Sequence, residues 1–332
     1  MTRVAAVDCG TNTIRLLVAD LIREETGRPR LEPLRRRNEI VRLGQGVDRT
    51  GLLDPAALER TLAVVEDYAA DCAELGVEPG RAARRFVATS ATRDARNRGD
   101  FAAGVRSLLG VDPEVVSGQE EAHLSFAGSL LGARGADGGA PRLVVDLGGG
   151  STELVLGVDA PAAAISLNTG SVRITERYLA DGVTPAAEAA ARAEVRGLLD
   201  RAAQAVDLAA TGRLVGLAGT ITTVTAHALP LADFDAEAID GAELAVGAAL
   251  ASCDAIVHST AAERESWAYL RPGRRDVIAA GALVWSEVIA RVVAETAERA
   301  GTTGRARPLT TTVTSLHDIL DGIALSLAEP AR

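Results

Sequence analysis

The 332-residue sequence contains no lysine, and all 35 of its basic residues are arginine. A P-loop needs the lysine of its GK[ST] motif, a protein kinase a strand lysine, and a Schiff-base enzyme an amine. Those three classes are excluded. Cysteine is scarce as well: Cys9, Cys72 and Cys253 are odd in number and far apart, which argues against a disulfide framework or a thiolate zinc site. His123, His227, His258 and His317 show neither HxH nor HExxH spacing and read as surface or packing residues. With only four Phe, two Trp and three Tyr, the core has to be built from Ala, Val, Leu and Ile. No apolar run approaches the length of a bilayer span, and residues 1–20 lack a charged leader before a cleavable apolar stretch. A cytoplasmic protein without a membrane partner is the resulting expectation. The net charge of −10 speaks against a general nucleic-acid role.

What is present repeats itself. An apolar run over residues 3–8 ends in Asp8, turns through Cys9-Gly10-Thr11-Asn12-Thr13, and continues as a second apolar run, Ile14 to Leu21. Arg142-Leu143-Val144-Val145-Asp146 does the same, turning through Leu147-Gly148-Gly149-Gly150-Ser151-Thr152 into Leu154 to Val158. Both read as β-hairpins with turns rich in glycine and hydroxyls. The two aspartates are 138 residues apart, about one domain length.

Each hairpin is followed by a similar series. In the first half the pattern predicts a strand near 39–43, a helix over 55–75 capped by Asp54, a strand at 85–89, a helix over 99–109, a strand at 113–116 and a helix over 118–131. In the second half it predicts a strand at 163–167, a short helix near 172–179, a long one over 185–208 and a strand at 214–218. Helices near 242–258 and 276–296, a strand at 310–313 and a last helix to about Leu327 follow. The Gly/Ala/Asp-rich stretch 132–141 is the candidate linker, dividing the chain into lobes of 1–131 and 132–332, with the last helix able to pack back on the first. Two such α/β lobes, each a mixed sheet with flanking helices, commonly place a ligand in the cleft between them.

Three successive glycines let backbone amides approach an anion, and Ser151 and Thr152 add hydroxyls; a plain glycine-rich hairpin turn is the bland alternative. A carboxylate beside bound phosphates calls for a divalent cation, so Asp8 and Asp146 imply magnesium unless each merely caps its own turn. In Ser117-Gly118-Gln119-Glu120-Glu121-Ala122 the spacing of Ser117 and Glu120 fits a capping box. Glu121 points away from the apolar face and is free to enter a cleft as a general base, though periodicity alone would leave it a solvated glutamate. Arg93, just past a strand end, suits a phosphate fork or an exposed helix start equally. Gly219-Thr220 reads as an anion-friendly turn opening a helix or as a simple cap. Arg271, Arg274 and Arg275 read as a solvated loop or a basic rim.

Taken together and in order, these segments resemble the exopolyphosphatase/guanosine pentaphosphate phosphohydrolase (Ppx/GppA) family, within the actin and sugar-kinase superfamily. The residues that carry the resemblance are Asp8 to Leu16, Ala88 to Ala95, Ser117 to Ala122, Asp146 to Glu153, Asn168 to Arg173, Gly219-Thr220 and Arg275 to Ile278. The resemblance covers nearly the whole chain and implies two actin-like (ribonuclease H-like) lobes with the active site in the cleft between them. It implies Glu121 as the water-activating residue. Asp8, Gly10, Thr11, Asn12 and Thr13 match one phosphate-binding loop, and Gly148, Gly149, Gly150, Ser151 and Thr152 the other. Arg93 matches a phosphate-contacting arginine, Gly219 and Thr220 a further phosphate contact, and Asp146 and Glu153 acidic residues near Mg2+.

Thr11 and Thr13 replace the usual serines, and Asp318 to Gly322 replaces a Gly-Leu-Arg-Glu-Gly pattern, so one arginine contact is absent. The sequence ends at Arg332 without the helical region of longer relatives, which leads to an expectation of a short two-lobed form acting on short chains. The activity implied is release of orthophosphate from the ends of inorganic polyphosphate. Hydrolysis of guanosine pentaphosphate (pppGpp) in the stringent response is the alternative, a kinase of the same fold or a catalytically weak polyphosphate or alarmone (ppGpp) sensor are further ones, and a homodimer is expected.

Overall fold

The computed structural model describes residues 1–22, 29–132, 139–303 and 307–328. The chain forms two compact units, one of Met1–Gly128 with Asp318–Arg332, the other of Ser129–His317. The terminal segment, which the sequence-based division gave to the second lobe while allowing its last helix to pack back on the first, groups with the first unit. Residues 133–138 of the candidate linker lie outside the described residues.

The first unit is built on a five-stranded sheet. Its strands are β1 (Thr2–Cys9), β2 (Thr13–Ile22), β3 (Arg30–Ile40), β4 (Arg84–Ala88) and β5 (Glu114–Val115), in the order β3-β2-β1-β4-β5. β1, β2 and β3 pair antiparallel, and β4 and β5 add parallel to β1. The central strands read as continuous apolar runs because both faces are covered. Ala5, Val7 and Cys9 point into one core with Ile14, Leu16, Tyr68 and Phe101, whereas Val4 and Ala6 point into another with Leu17, Leu124 and Ile323. The first face is covered by helices Pro55–Glu74 and Arg98–Leu109, the second by the terminal helix Ile319–Ser326. Asp54 caps the helix at Pro55 as expected, accepting from the amides of Ala56 and Ala57 at 3.0 and 3.2 Å. Helix Gly118–Ser129 and the terminal helix approach closely through two glycines. A Cβ on Gly128 would lie 1.8 Å from the Asp318 carbonyl oxygen, and one on Gly322 would lie 1.9 Å from that of Leu124.

The second unit carries β6 (Arg142–Leu147), β7 (Thr152–Gly157), β8 (Pro161–Leu167), β9 (Arg213–Leu217), β10 (Glu243–Ala245) and β11 (Thr311–Thr314). Their order is β10-β11-β9-β6-β7-β8. β6, β7 and β8 pair antiparallel, and β9 and β11 follow parallel to β6. Both units therefore share one topology, and the second adds β10 as an antiparallel edge strand. Helices Pro185–Ala205, Val246–Val257 and Ile278–Thr303 pack over its core around Trp285. No helix among the described residues is long and apolar enough to cross a membrane.

Two strands depart from the sequence reading. β3 begins at Arg30, nine residues before the predicted strand, and β10 occupies the start of the helix predicted over 242–258. The expected short helix at 172–179 is an α-turn, Ser171–Ile174, running into a π-helical turn, Thr175–Leu179.

Candidate active site

In the first unit the turn after β1 closes with the Gly10 amide donating to the Thr13 carbonyl at 2.9 Å. The Thr11 carbonyl accepts from the Gly44 amide at 2.8 Å, and the Asn12 carbonyl accepts from Val41 and Arg42 at 3.0 and 2.9 Å. Among the described residues the amides of Thr11 and Asn12 have no acceptor. The turn thus turns its carbonyls to the segment after β3 and leaves two donors over. The Thr11 hydroxyl sits 2.8 Å from that of Ser90, tying the turn to the segment that carries Arg93.

Asp8 lies directly across the hairpin from Arg15. The guanidinium donates to Asp8 Oδ2 through Nε at 2.9 Å and Nη2 at 2.7 Å, and its Nη1 donates to Asp318. Burial pushes the Asp8 carboxyl above its ordinary value, with Arg15 pulling against it. Asp318 in turn caps the terminal helix by accepting from Leu320, and Asp321 accepts from Arg36 Nη2 at 2.6 Å. Where the family pattern has an arginine on this helix, the arginines here come from β2 and β3 and the acids from the helix.

Glu120 and Glu121 separate clearly. The Glu120 side chain is 48% exposed and accepts from Arg85 at 2.8 Å. The expected capping box is only half formed: the Glu120 amide donates to Ser117 Oγ at 3.2 Å, but its carboxylate goes to Arg85 instead of returning to the Ser117 backbone. Glu121 is not a solvated residue. Its side chain is 9% exposed and accepts from Arg93 Nη1 at 3.2 Å, while the same Nη1 donates to the Val116 carbonyl at 2.9 Å. Arg93 is thereby a partner of Glu121.

In the second unit Asp146 lies directly across the hairpin from Glu153, so both side chains project from the same face of the sheet. Both are buried, and Ser166 on β8 donates to Glu153 Oε1 at 2.7 Å. The Gly148 amide closes the turn on the Ser151 carbonyl at 3.0 Å, and the amides of Gly149, Gly150 and Ser151 have no acceptor among the described residues. The Thr152 hydroxyl is fully buried and donates to the Thr169 carbonyl at 2.8 Å, so it braces the turn from behind. Gly219 and Thr220 open helix Ala218–Ala228, which has no side-chain cap and starts just past Leu217, the register partner of Asp146. Arg274 lies against Gly219, where an added Cβ would fall 1.3 Å from Nη1. Of the other two arginines in that loop, Arg275 donates to the Glu265 carbonyl at 3.1 Å.

Sequence reasoning assigned no site role to Arg15, Asp318, Gly170 or Arg173, although each lies in a segment it named. For Arg15 the signal was available: Asp8 and Arg15 stand seven apart around one turn, as do Asp146 and Glu153 around the other, and that spacing sets cross-strand partners.

The repeated lobe, with an amide-presenting turn at the same hairpin of each copy, defines a two-lobed α/β protein. The chain belongs to the Ppx/GppA phosphatase family, whose model matches residues 21–303. It is 45% identical to exopolyphosphatase 2 of Mycobacterium tuberculosis across 99% of each chain. Among solved structures it is similar to an exopolyphosphatase-like protein at 42% identity, with a TM-score of 0.89 over 98% of this chain and 97% of the other. A Ppx/GppA enzyme from Aquifex aeolicus matches at 26% identity and a TM-score of 0.74, over 98% and 99% of the two chains.

Proposed function

We propose that this protein is an exopolyphosphatase that cleaves the terminal phosphoanhydride bond of inorganic polyphosphate with Mg2+ and releases orthophosphate. The observation that carries the reading is the pair of turns with outward amides, Thr11 and Asn12 in one unit and Gly149, Gly150 and Ser151 in the other. Each such turn suits a phosphate group, and the Mycobacterium tuberculosis relative bears the name of that activity.

Asp146 and Glu153 fit a magnesium site. They are hard oxygen donors, face one another across β6 and β7, and adjoin the second turn. Among the described residues no cluster of three or more His, Cys, Asp or Glu side chains could hold a metal. Magnesium accepts that arrangement, since it is commonly held by one or two carboxylates with water and substrate phosphates completing its shell. When bound it supplies neutralisation of the phosphate charge that would otherwise repel the two acids.

In this reading Glu121 takes the proton from a water as the water oxygen attacks the terminal phosphorus in line. The bond from phosphorus to the bridging oxygen breaks, and its electron pair leaves with the shortened chain. Arg93 holds the Glu121 carboxylate in one orientation, anchored in turn on the Val116 carbonyl. The turn amides bear the developing charge on the phosphoryl oxygens.

Guanosine pentaphosphate is the competing substrate. Phosphate release measured side by side on polyphosphate, tripolyphosphate, guanosine pentaphosphate and ATP, with and without Mg2+, tests the reading. The expected result is Mg2+-dependent release that is fastest from polyphosphate. A higher kcat/KM on guanosine pentaphosphate would move the assignment to the alarmone, and conversion of ATP to ADP with the phosphoryl group on an added acceptor alcohol, and no orthophosphate released, would make the protein a kinase.

A further inference from the structure

The turn Gly148-Gly149-Gly150 poses a problem of direction. Three glycines tolerate almost any backbone conformation, so nothing in the turn itself decides whether its amides or its carbonyls face an incoming anion. The answer lies in the segment after β8. Gly148 O accepts from the Ser171 amide at 3.0 Å, and Gly149 O accepts from Val172 and Arg173 at 2.9 and 3.1 Å. Gly150 O accepts from the Arg173 side chain, through Nε, at 2.8 Å. Three consecutive carbonyls are thus tied to one segment. In a trans peptide the N–H points opposite to the C=O of the same plane. The amides that share those three planes belong to Gly149, Gly150 and Ser151, the same three that lack an acceptor among the described residues.

We propose that Gly170–Arg173 is the positioning element of the second phosphate turn, and that Arg173 is its positioning side chain. This rests on the reading of the turn as a phosphate site. Two observations show how closely the element is fitted. A Cβ on Gly170 would lie 2.6 Å from the carbonyl oxygens of both Gly148 and Gly149, so only glycine permits this approach. Arg173 is buried, at 8% exposure, with its Nε turned inward to the turn instead of outward to solvent.

The first unit uses a related device without a side chain. There the carbonyls of Thr11 and Asn12 are captured by the backbone amides of Val41, Arg42 and Gly44, and a Cβ on Gly44 would meet Thr11 Cγ2 at 2.4 Å. The first turn has side chains to restrict it, Thr11 and Asn12. The all-glycine turn has none and takes a guanidinium instead.

The test is Arg173→Met in the full-length protein, which keeps an unbranched apolar stem and removes every donor. Tripolyphosphate is the substrate, and inorganic phosphate the product inhibitor. With the Gly150 plane released, KM for tripolyphosphate and the inhibition constant for phosphate should each rise about tenfold or more, the size expected when hydrogen bonds to a charged group are lost; kcat should fall less. A variant that lowers apparent kcat in proportion to lost folded protein, with KM unchanged, would overturn the positioning role. So would KM and kcat both equal to those of the parent.

If the variant does not fold, hydrogen exchange in the parent decides. Amides of 149–151 should gain protection on adding Mg2+ and tripolyphosphate, and no gain in a sample that is hydrolysing substrate would refute the proposal while leaving the activity intact. A parent enzyme that releases no phosphate would remove the functional reading itself, and this proposal with it.

Discussion

The two hairpins occupy the same place in two copies of one fold, yet they carry opposite charge at one position. In the first, Asp8 faces Arg15; in the second, Asp146 faces Glu153. Arg15 is shared between Asp8 and Asp318, so the first acid is engaged by an internal cation and serves the architecture of its own unit. The second hairpin sets a carboxylate where the first has its guanidinium. In the proposed reading the same hairpin is a brace in one lobe and a cation seat in the other, by a change at a single cross-strand position.

That contrast can be broken in several ways. The largest effect is expected from Glu121 in the first lobe, the proposed base. Glu121→Gln keeps the shape and cannot take a proton, so kcat should fall about 10²–10⁴-fold with KM close to that of the parent. Raising Mg2+ should not restore it, and recovery with Mg2+ would erase the distinction between the lobes.

Arg15→Gln should act on stability. It leaves two buried carboxylates without their shared cation, at a cost of about 3 kcal/mol in urea unfolding. The effect should depend on pH. The Asp8 carboxyl already lies above its ordinary 3.8 through burial, and loss of Arg15 raises it further. A carboxyl raised in the folded state contributes stability below its unfolded value and loses it as pH rises through the folded value. The deficit of the variant should thus widen from about pH 4 towards neutrality and narrow in acid. A deficit that deepens on acidification would show that Asp8 is not the group responsible.

The smallest effect belongs to Glu120→Gln. Its partner Arg85 also donates to Glu114 and Ser326, and the pair is half exposed, so stability should change by less than about 1 kcal/mol. Activity should match that of the parent, and a loss like that of Glu121→Gln would undo the assignment of the base.

The strands buried on both faces were the most legible part of the sequence, because β1, β2, β6 and β7 are dominated by apolar residues and their hairpins turn through glycine. β3 was legible only at its end. Its residues Arg35, Arg36 and Arg37 form ion pairs with Asp71, Glu74 and Asp321 at the sheet edge, and with Pro33 among them they show no alternation of apolar and polar. β10 was hidden by its length of three residues. In the site, the order of the motifs located both turns, Arg93 and Glu121. The pairing of Arg93 with Glu121 was not legible, nor was the link from Arg15 to Asp318, 303 residues away. The half-formed capping box has the same origin: Arg85, distant in sequence, competes for Glu120 and wins.

The division between brace and cation seat is tested most directly by the Mg2+ dependence of phosphate release from tripolyphosphate in the parent, Glu153→Gln and Arg15→Gln. Glu153→Gln should need about tenfold more Mg2+ or greater for half-maximal rate, while Arg15→Gln, measured where it is still folded, should keep the midpoint of the parent. A midpoint that moves with Arg15→Gln and stays in place with Glu153→Gln would contradict the assignment and put the cation in the first lobe.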